Sequence, residues 1–177
     1  MKKILILAAS NSTSSINRAL AISAGSLIEH SERTVLDLND YEMPIYSPER
    51  EASTGVPAAA QRFVEQVEAS DAIILSLAEH NGSYSAAFKN VLDWSTRHKK
   101  KLWSEKPMLL LSTSPGARGG ATVMAAAQQT FPHLGAQIKA SFSLPSFNDN
   151  FSESSGVTDP VLQSHFKAVV AQLTAAL

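Results

Sequence analysis

The chain has 177 residues, of which 44% are hydrophobic and 18% charged, with a formal net charge of −1. That balance suits a globular domain with a sizeable core and leaves no basic footprint for nucleic acid or an anionic membrane. Cysteine is absent, which excludes disulfides, thiolate catalysis and thiolate metal sites, and His30, His80, His98, His133 and His165 include no helical metal-binding pair.

Read in chain order, short apolar runs alternate with longer helical stretches. Lys3–Ala9 is a continuous apolar run, the pattern of a strand covered on both faces. It is too short to span a membrane and carries no signal-peptide cleavage pattern, so a cytoplasmic address is expected. The spacing of Ile16, Leu20, Ala24, Leu27 and Ile28 predicts an amphipathic helix over 16–29. A second strand is expected over 33–38. Residues 39–57, with Pro44, Pro48, Gly55 and Pro57, read as a long loop. A helix over 56–69 turns Phe63, Val64 and Val67 inward, and 72–78 is a third strand. The next helix, 85–98, groups Phe88, Val91 and Leu92, with Lys89 and Asp93 paired at i,i+4.

Pro107–Ser112 is a fourth strand, and a Gly/Ser-rich loop leads into a helix over 122–130. A fifth strand is expected over 136–144, followed by a polar, irregular stretch, 146–157. Thr158-Asp159-Pro160 is a helix start signal, and Leu162, Phe166, Val169, Val170, Leu173 and Leu177 form the buried stripe of the last helix. With no repeat and no dividing linker, five strands alternating with five helices predict one α/β domain over 1–177, a three-layer, doubly wound parallel sheet. Ligands of such sheets bind beyond the carboxyl ends of the strands, at the switch point. The loops after strands one, three and four are therefore the candidates.

The first loop is Ser10-Asn11-Ser12-Thr13-Ser14-Ser15-Ile16-Asn17. Five of its eight residues carry hydroxyls, and it runs into a helix N-terminus, where free N–H groups and the helix dipole favour an anion. There is neither GxxxxGK[ST] nor GxGxxG, so a nucleoside triphosphate and a dinucleotide are poor matches. A single phosphomonoester, such as that of FMN, suits the loop better; a Ser-rich turn with a helix cap is the plainer alternative. The second loop is Glu79-His80-Asn81-Gly82-Ser83-Tyr84-Ser85. Gly82 can take positive φ and let a flat ring approach the backbone, although an ordinary strand-to-helix turn would look similar. The third loop, Ser112 to Gly120, holds Pro115 and three glycines, more than a short turn needs. Close backbone approach to a ligand is the expected reason, with a flexible linker as the alternative.

These residues resemble the NADPH-dependent FMN reductase family, whose fold is flavodoxin-like, with strand order 2-1-3-4-5, and which includes chromate, quinone and azo reductases. Its first motif, GSxRxxSxN, aligns with Ala9 to Asn17. PEYNGSxPGxLKNAIDW aligns with Ala78 to Trp94. KPxxxxSxSPGxxGG aligns with Lys106-Pro107 through Ser112-Thr113-Ser114-Pro115-Gly116 to Gly119-Gly120. The resemblance implies that Ser10, Ser15 and Asn17, with Ser12 and Ile16 of the same loop, hold the phosphate of non-covalently bound FMN. It sets Glu79, His80, Asn81, Gly82 and Ser83 along the isoalloxazine, with Ser114, Pro115 and Gly116 on its other side.

The departures from the family pattern carry expectations of their own. Ser12 stands where the family has arginine, so a charge-assisted contact is lost and weaker FMN binding is expected. His80 replaces a tyrosine. Ala78 and Ser85 replace prolines, which is expected to loosen the second loop. Lys89, Asn90, Asp93 and Trp94 are expected to be structural or interface residues. The chemistry implied by the resemblance is reduction of bound FMN by NADPH or NADH, followed by reduction of a flavin, quinone, azo or metal-oxyanion acceptor in a ping-pong cycle, with no catalytic side chain and no metal. The nicotinamide preference stays open; Arg118 is a candidate contact for a 2′-phosphate. A homodimer or homotetramer is implied in the same way. The competing readings are a flavodoxin-type electron carrier, a receiver domain, which would need acidic residues where Ala8-Ala9-Ser10 stands, and a family member that has lost FMN and turnover.

Overall fold

The computed structural model describes residues 1–177. Its central sheet is built from β1 (Lys2–Ala8), β2 (Ser31–Leu36), β3 (Ala72–Leu77), β4 (Pro107–Thr113) and β5 (Gln137–Leu144). All four pairings are parallel, and the spatial order is β2-β1-β3-β4-β5. The chain reverses direction across the sheet between β2 and β3, so the switch point lies beyond the carboxyl ends of β1 and β3. Five longer helices flank the sheet: α1 (Ile16–Ser26), α2 (Ala58–Ala69), α3 (Ala86–His98), α4 (Ala121–Thr130) and α5 (Pro160–Thr174). This is the doubly wound, flavodoxin-like arrangement expected of the sequence.

Alternation along β1 explains why its apolar run is unbroken. Leu5 and Leu7 join one core with Phe63, Val64 and Val67 of α2, Phe88 and Val91 of α3, and Val123 of α4. Ile4 and Ile6 face a second core, with Leu20 and Ala24 of α1 and Phe166, Val169, Val170 and Leu173 of α5. Successive strand side chains point to opposite faces, so a strand covered twice must be apolar throughout. β2 is an edge strand and mostly exposed. No helix is long and apolar enough to cross a membrane.

The structure corrects three local expectations. The helix after β1 ends at Ser26, and Leu27, its C-cap, is 41% exposed, whereas Ile28 is buried. Once the helix stops, i,i+3 spacing no longer decides which face a residue takes. Residues 39–57 are not one loop: a 3₁₀ turn spans Leu38–Tyr41 and a short helix spans Pro48–Thr54. The second has a Ser47 cap on Arg50 N–H and Pro48 at its start, where proline starts a helix rather than breaking one. Likewise, the stretch 146–157 holds a short helix, Phe147–Asn150, and a two-stranded ribbon, Phe151–Ser152 with Gly156–Val157.

Candidate functional site

The three loops meet at the carboxyl edge of the sheet, and named hydrogen bonds tie them together. Asn17, in the first turn of α1, is buried beneath the first loop. Its Oδ1 accepts from Ser76 Oγ of β3 at 2.7 Å and from Thr113 N–H of β4 at 3.1 Å, and its Nδ2 donates to Thr113 carbonyl oxygen at 3.2 Å. The amide thus ties the start of α1 to the ends of two adjacent strands, β3 and β4. With its side chain committed inside the fold, Asn17 can offer a ligand its backbone N–H, as can Ile16; both head a helix, where N–H groups lack intrahelical acceptors.

Ser15 caps that helix, its Oγ accepting from Arg18 N–H at 3.2 Å. Ser10 is half-buried, and its Oγ accepts from Ser12 N–H at 3.2 Å; Asn11, Ser12, Thr13 and Ser14 are exposed. The hydroxyls therefore surround the start of α1 on the solvent side, a chemistry that fits a phosphate group.

The second loop is a β-hairpin. Glu79–His80 pairs with Ser83–Tyr84, and Asn81 and Gly82 form the two-residue turn with φ of 51° and 74°. Two consecutive positive φ values define the I′ geometry for which Asn-Gly is favoured. His80 is exposed. Glu79 Oε2 accepts from Val123 N–H at 2.9 Å, capping the start of α4. At the other end, Tyr84 stacks on Phe131, with ring centroids 6.0 Å apart, and its hydroxyl meets Thr130 Oγ1 at 3.1 Å. Burial holds the Tyr84 phenol above its ordinary pKa, with the Thr130 contact acting the other way, so the side chain stays a neutral anchor.

Ser85 does not loosen this loop. It is buried, its Oγ donates to Ala9 carbonyl oxygen at 2.9 Å, and it accepts from Phe88 N–H at 3.2 Å. One hydroxyl caps α3 and binds the second loop to the first; proline could do neither, because it has no side-chain donor or acceptor.

The glycines of the third loop divide by role. Gly119 has φ of 57°, and a Cβ there would meet Leu144 carbonyl oxygen at 2.7 Å; Gly120 has φ of 78°, with Ser112 Cβ at 3.1 Å. These two satisfy close packing within the protein, contrary to the expectation that a ligand requires them. Gly116 differs: its φ is not in the left-handed region, and a Cβ would find only Ser114 Oγ, at 3.9 Å. The loop is no flexible linker either. Ser112 Oγ donates to Gly119 carbonyl oxygen at 2.7 Å, Ser146 N–H donates to Gly116 and Phe147 N–H to Ser114, each at 3.0 Å.

Two cavities adjoin the loops. A 760 Å³ cavity runs from Thr13, Ser14 and Ser15 along the outer side of α1, past Arg18, to Phe147 and Phe151. Those two rings stack at 4.7 Å. The stretch 146–157, read from sequence as merely irregular, thus supplies one wall of it; two aromatics four residues apart in a polar segment were the available signal. A smaller cavity of 290 Å³ lies between Asn11, the 38–45 segment and the start of α3. Its far wall is rigid. Asn90 Oδ1 accepts from Tyr46 N–H, Asn90 Nδ2 donates to Met43 and Pro44 carbonyl oxygens, and Trp94 Nε1 donates to Pro44 carbonyl oxygen at 2.7 Å. Asn90 and Trp94 therefore act structurally, as expected. Lys89 and Asp93 pair at 2.7 Å on the same helix.

A parallel sheet of this order, flanked by helices on both faces, with a hydroxyl-rich loop after β1, a hairpin after β3 and a glycine-rich loop after β4, defines a flavodoxin-like α/β protein. The chain belongs to the NADPH-dependent FMN reductase family, whose model matches residues 2–149. It is 35% identical over 92 residues to NAD(P)H-dependent FMN reductase PA1204 of Pseudomonas aeruginosa, covering 52% of this chain and 49% of that protein. To an NADPH:quinone oxidoreductase of Arabidopsis thaliana it is 29% identical over 136 residues, covering 75% and 69%. The alignment to the Pseudomonas protein thus spans about half of either chain. Among solved structures, the flavoenzyme NAD(P)H:(acceptor) oxidoreductase FerB of Paracoccus denitrificans superposes with a TM-score of 0.77 at 26% identity, covering 99% of this chain and 96% of that one. An FMN-dependent NADH-azoreductase of Bacillus anthracis in complex with FMN shares the fold, with a TM-score of 0.65 at 17% identity.

Proposed function

We propose that this chain binds FMN non-covalently at the carboxyl edge of the sheet and uses it to pass electrons from NADPH or NADH to a small acceptor of the flavin, quinone, azo or metal-oxyanion type. The observation that carries the reading is the convergence of the three loops on one edge through Asn17, Ser85 and Glu79. Ser10, Ser12, Ser15 and the N–H groups of Ile16 and Asn17 would hold the phosphate. Main-chain groups of Glu79 to Ser83 and of Ser114, Pro115 and Gly116 would face the ring system. When bound, FMN would supply the two-electron chemistry, accepting from the nicotinamide and donating to the acceptor in alternate, ping-pong half-reactions. The protein's share is to orient the ring, to offer fixed N–H donors to charge that develops on it, and to limit water. Self-association into a dimer or tetramer belongs to the same proposal, and neither nucleic acid nor membrane is a partner in it.

Titration of the purified protein with FMN, FAD and riboflavin, followed by NADPH and NADH oxidation assays with a quinone, tests this reading. The expected result is one FMN per chain, bound more tightly than FAD or riboflavin, and nicotinamide oxidation that requires both FMN and acceptor. Equal affinity for riboflavin and FMN would remove the phosphate site. FMN binding without turnover would favour an electron carrier.

A further inference from the structure

The structure assigns to Arg18 the cationic role that Ser12 cannot perform: we propose that its guanidinium binds the phosphate of the flavin mononucleotide from the flank of α1. The inference rests on the proposed FMN site, and it concerns which residue of this chain supplies the charge there.

Three observations meet at this side chain. The chain has six arginines. Five are engaged: Arg33 with Gly25, Arg50 with Ile45, Arg62 with Asp40, Arg97 with Glu51 and Arg118 with Thr122. Arg18 alone has a side chain with no hydrogen bond and no ion pair, although its backbone N–H is held by Ser15. Secondly, it lines the 760 Å³ cavity that opens at Thr13, Ser14 and Ser15 of the first loop. Thirdly, it stands three residues beyond the cap Ser15, in the first turn of α1. Helical Cα–Cβ bonds tilt toward the N-terminus, so a long side chain there leans back toward the free N–H groups of Ile16 and Asn17.

Placed in this way, a guanidinium can donate two parallel hydrogen bonds to a phosphate, a geometry that fits its planar fork. The contact would come from the helix flank rather than from within the loop. The cavity also contains one carboxylate, Glu153, which forms no ion pair with Arg18. It leaves the guanidinium free for an anion and would disfavour a ligand with negative charge deeper in the cavity.

The test compares FMN with riboflavin by flavin fluorescence titration of wild-type protein, Arg18→Gln and Arg18→Lys, each at low and high NaCl. Wild type should prefer FMN, with an affinity that falls as salt rises, while riboflavin binding stays flat. Arg18→Gln should weaken FMN by roughly 10- to 100-fold, leave riboflavin unchanged and flatten the salt response. Arg18→Lys should fall between, because an ammonium keeps the charge without the fork. If wild type binds FMN and riboflavin equally, the FMN site itself is misassigned. If wild type prefers FMN and Arg18→Gln keeps that preference, the site stands and the role of Arg18 is overturned. Circular dichroism of the exposed-site variants guards against a folding effect.

Discussion

At single residues, the structure separates positions pressed against neighbouring backbone from positions with open space around them. Gly119 and Gly116 lie three positions apart in one loop and fall on opposite sides of that division. Replacing Gly119 by Ala puts a Cβ at 2.7 Å from a backbone oxygen at positive φ. That substitution should destabilise the protein by about 1–3 kcal/mol, the cost of holding a side chain in such a conformation, as read by urea unfolding. Gly116→Val meets neither obstacle, so its unfolding midpoint should stay near the wild-type value. Its new side chain should instead obstruct a ring lying against the loop, and FMN affinity should drop. Unchanged FMN binding in Gly116→Val would move the ring elsewhere. Gly82 is a poorer probe, because its φ of 74° in the I′ turn penalises any side chain whether or not a ligand is there.

At the scale of elements, short polar bridges hold the strand ends and loops in place. Ser85 joins α3 to the end of β1, and Ser85→Ala removes both a cap and a buried donor. A loss of about 1–2 kcal/mol is expected, with weaker FMN binding because the second loop is no longer tied to the first. A fully stable variant would show that Ala9 carbonyl oxygen finds another donor. At the opposite edge of the sheet, Asp71 accepts from Lys3 N–H at 2.8 Å and fastens the start of β1 beside β3. That hydrogen bond, aided by the charges of Lys2, Lys106 and Lys3 and opposed by desolvation, holds the Asp71 carboxyl below its ordinary pKa. The sign follows directly: a depressed carboxylate stabilises the fold above its unfolded-state value, and the contribution disappears as pH falls through its lower folded-state value. Asp71→Asn should therefore show a shallower loss of thermal stability than wild type on acidification below the ordinary aspartate range. Parallel melting curves would exclude the role.

For the whole molecule, the relevant quantities are charge and the surfaces left uncovered. A net charge of −1 provides little long-range steering, so association should depend on local contacts. Ile45 is 66% exposed at the rim of the smaller cavity, while Asn90 and Trp94 fix the backbone on either side of it. An exposed apolar side chain on a backbone held from both sides is a suitable contact for the second copy that the proposed function expects. Light scattering after gel filtration should give a dimer or tetramer for wild type and a smaller species for Ile45→Lys. A wild-type monomer would remove self-association from the proposal.

The sequence by itself determined the layer architecture, because period and composition act locally. Unbroken apolar runs such as Ile4 to Ala8 require cover on both faces, and the helical stripes of α2 and α5 supply it; the three loops beyond the strand ends were legible for the same reason. The helix start at Asp159 was readable from capping chemistry and the positive φ of Gly82 from its missing side chain, whereas Ser85 read as a loosening residue and proved to be a cap. What only the tertiary structure decided are contacts between residues far apart in the chain. Asn17 reaches Thr113 across 96 positions, Ser85 reaches Ala9 across 76, and Gly119 is pressed against Leu144. No local pattern reveals whether a polar side chain or a glycine in a loop serves a ligand or a neighbouring strand. That depends on which atoms the fold brings within hydrogen-bond or van der Waals distance, and here it turned Asn17 inward and left Arg18, the next residue, free.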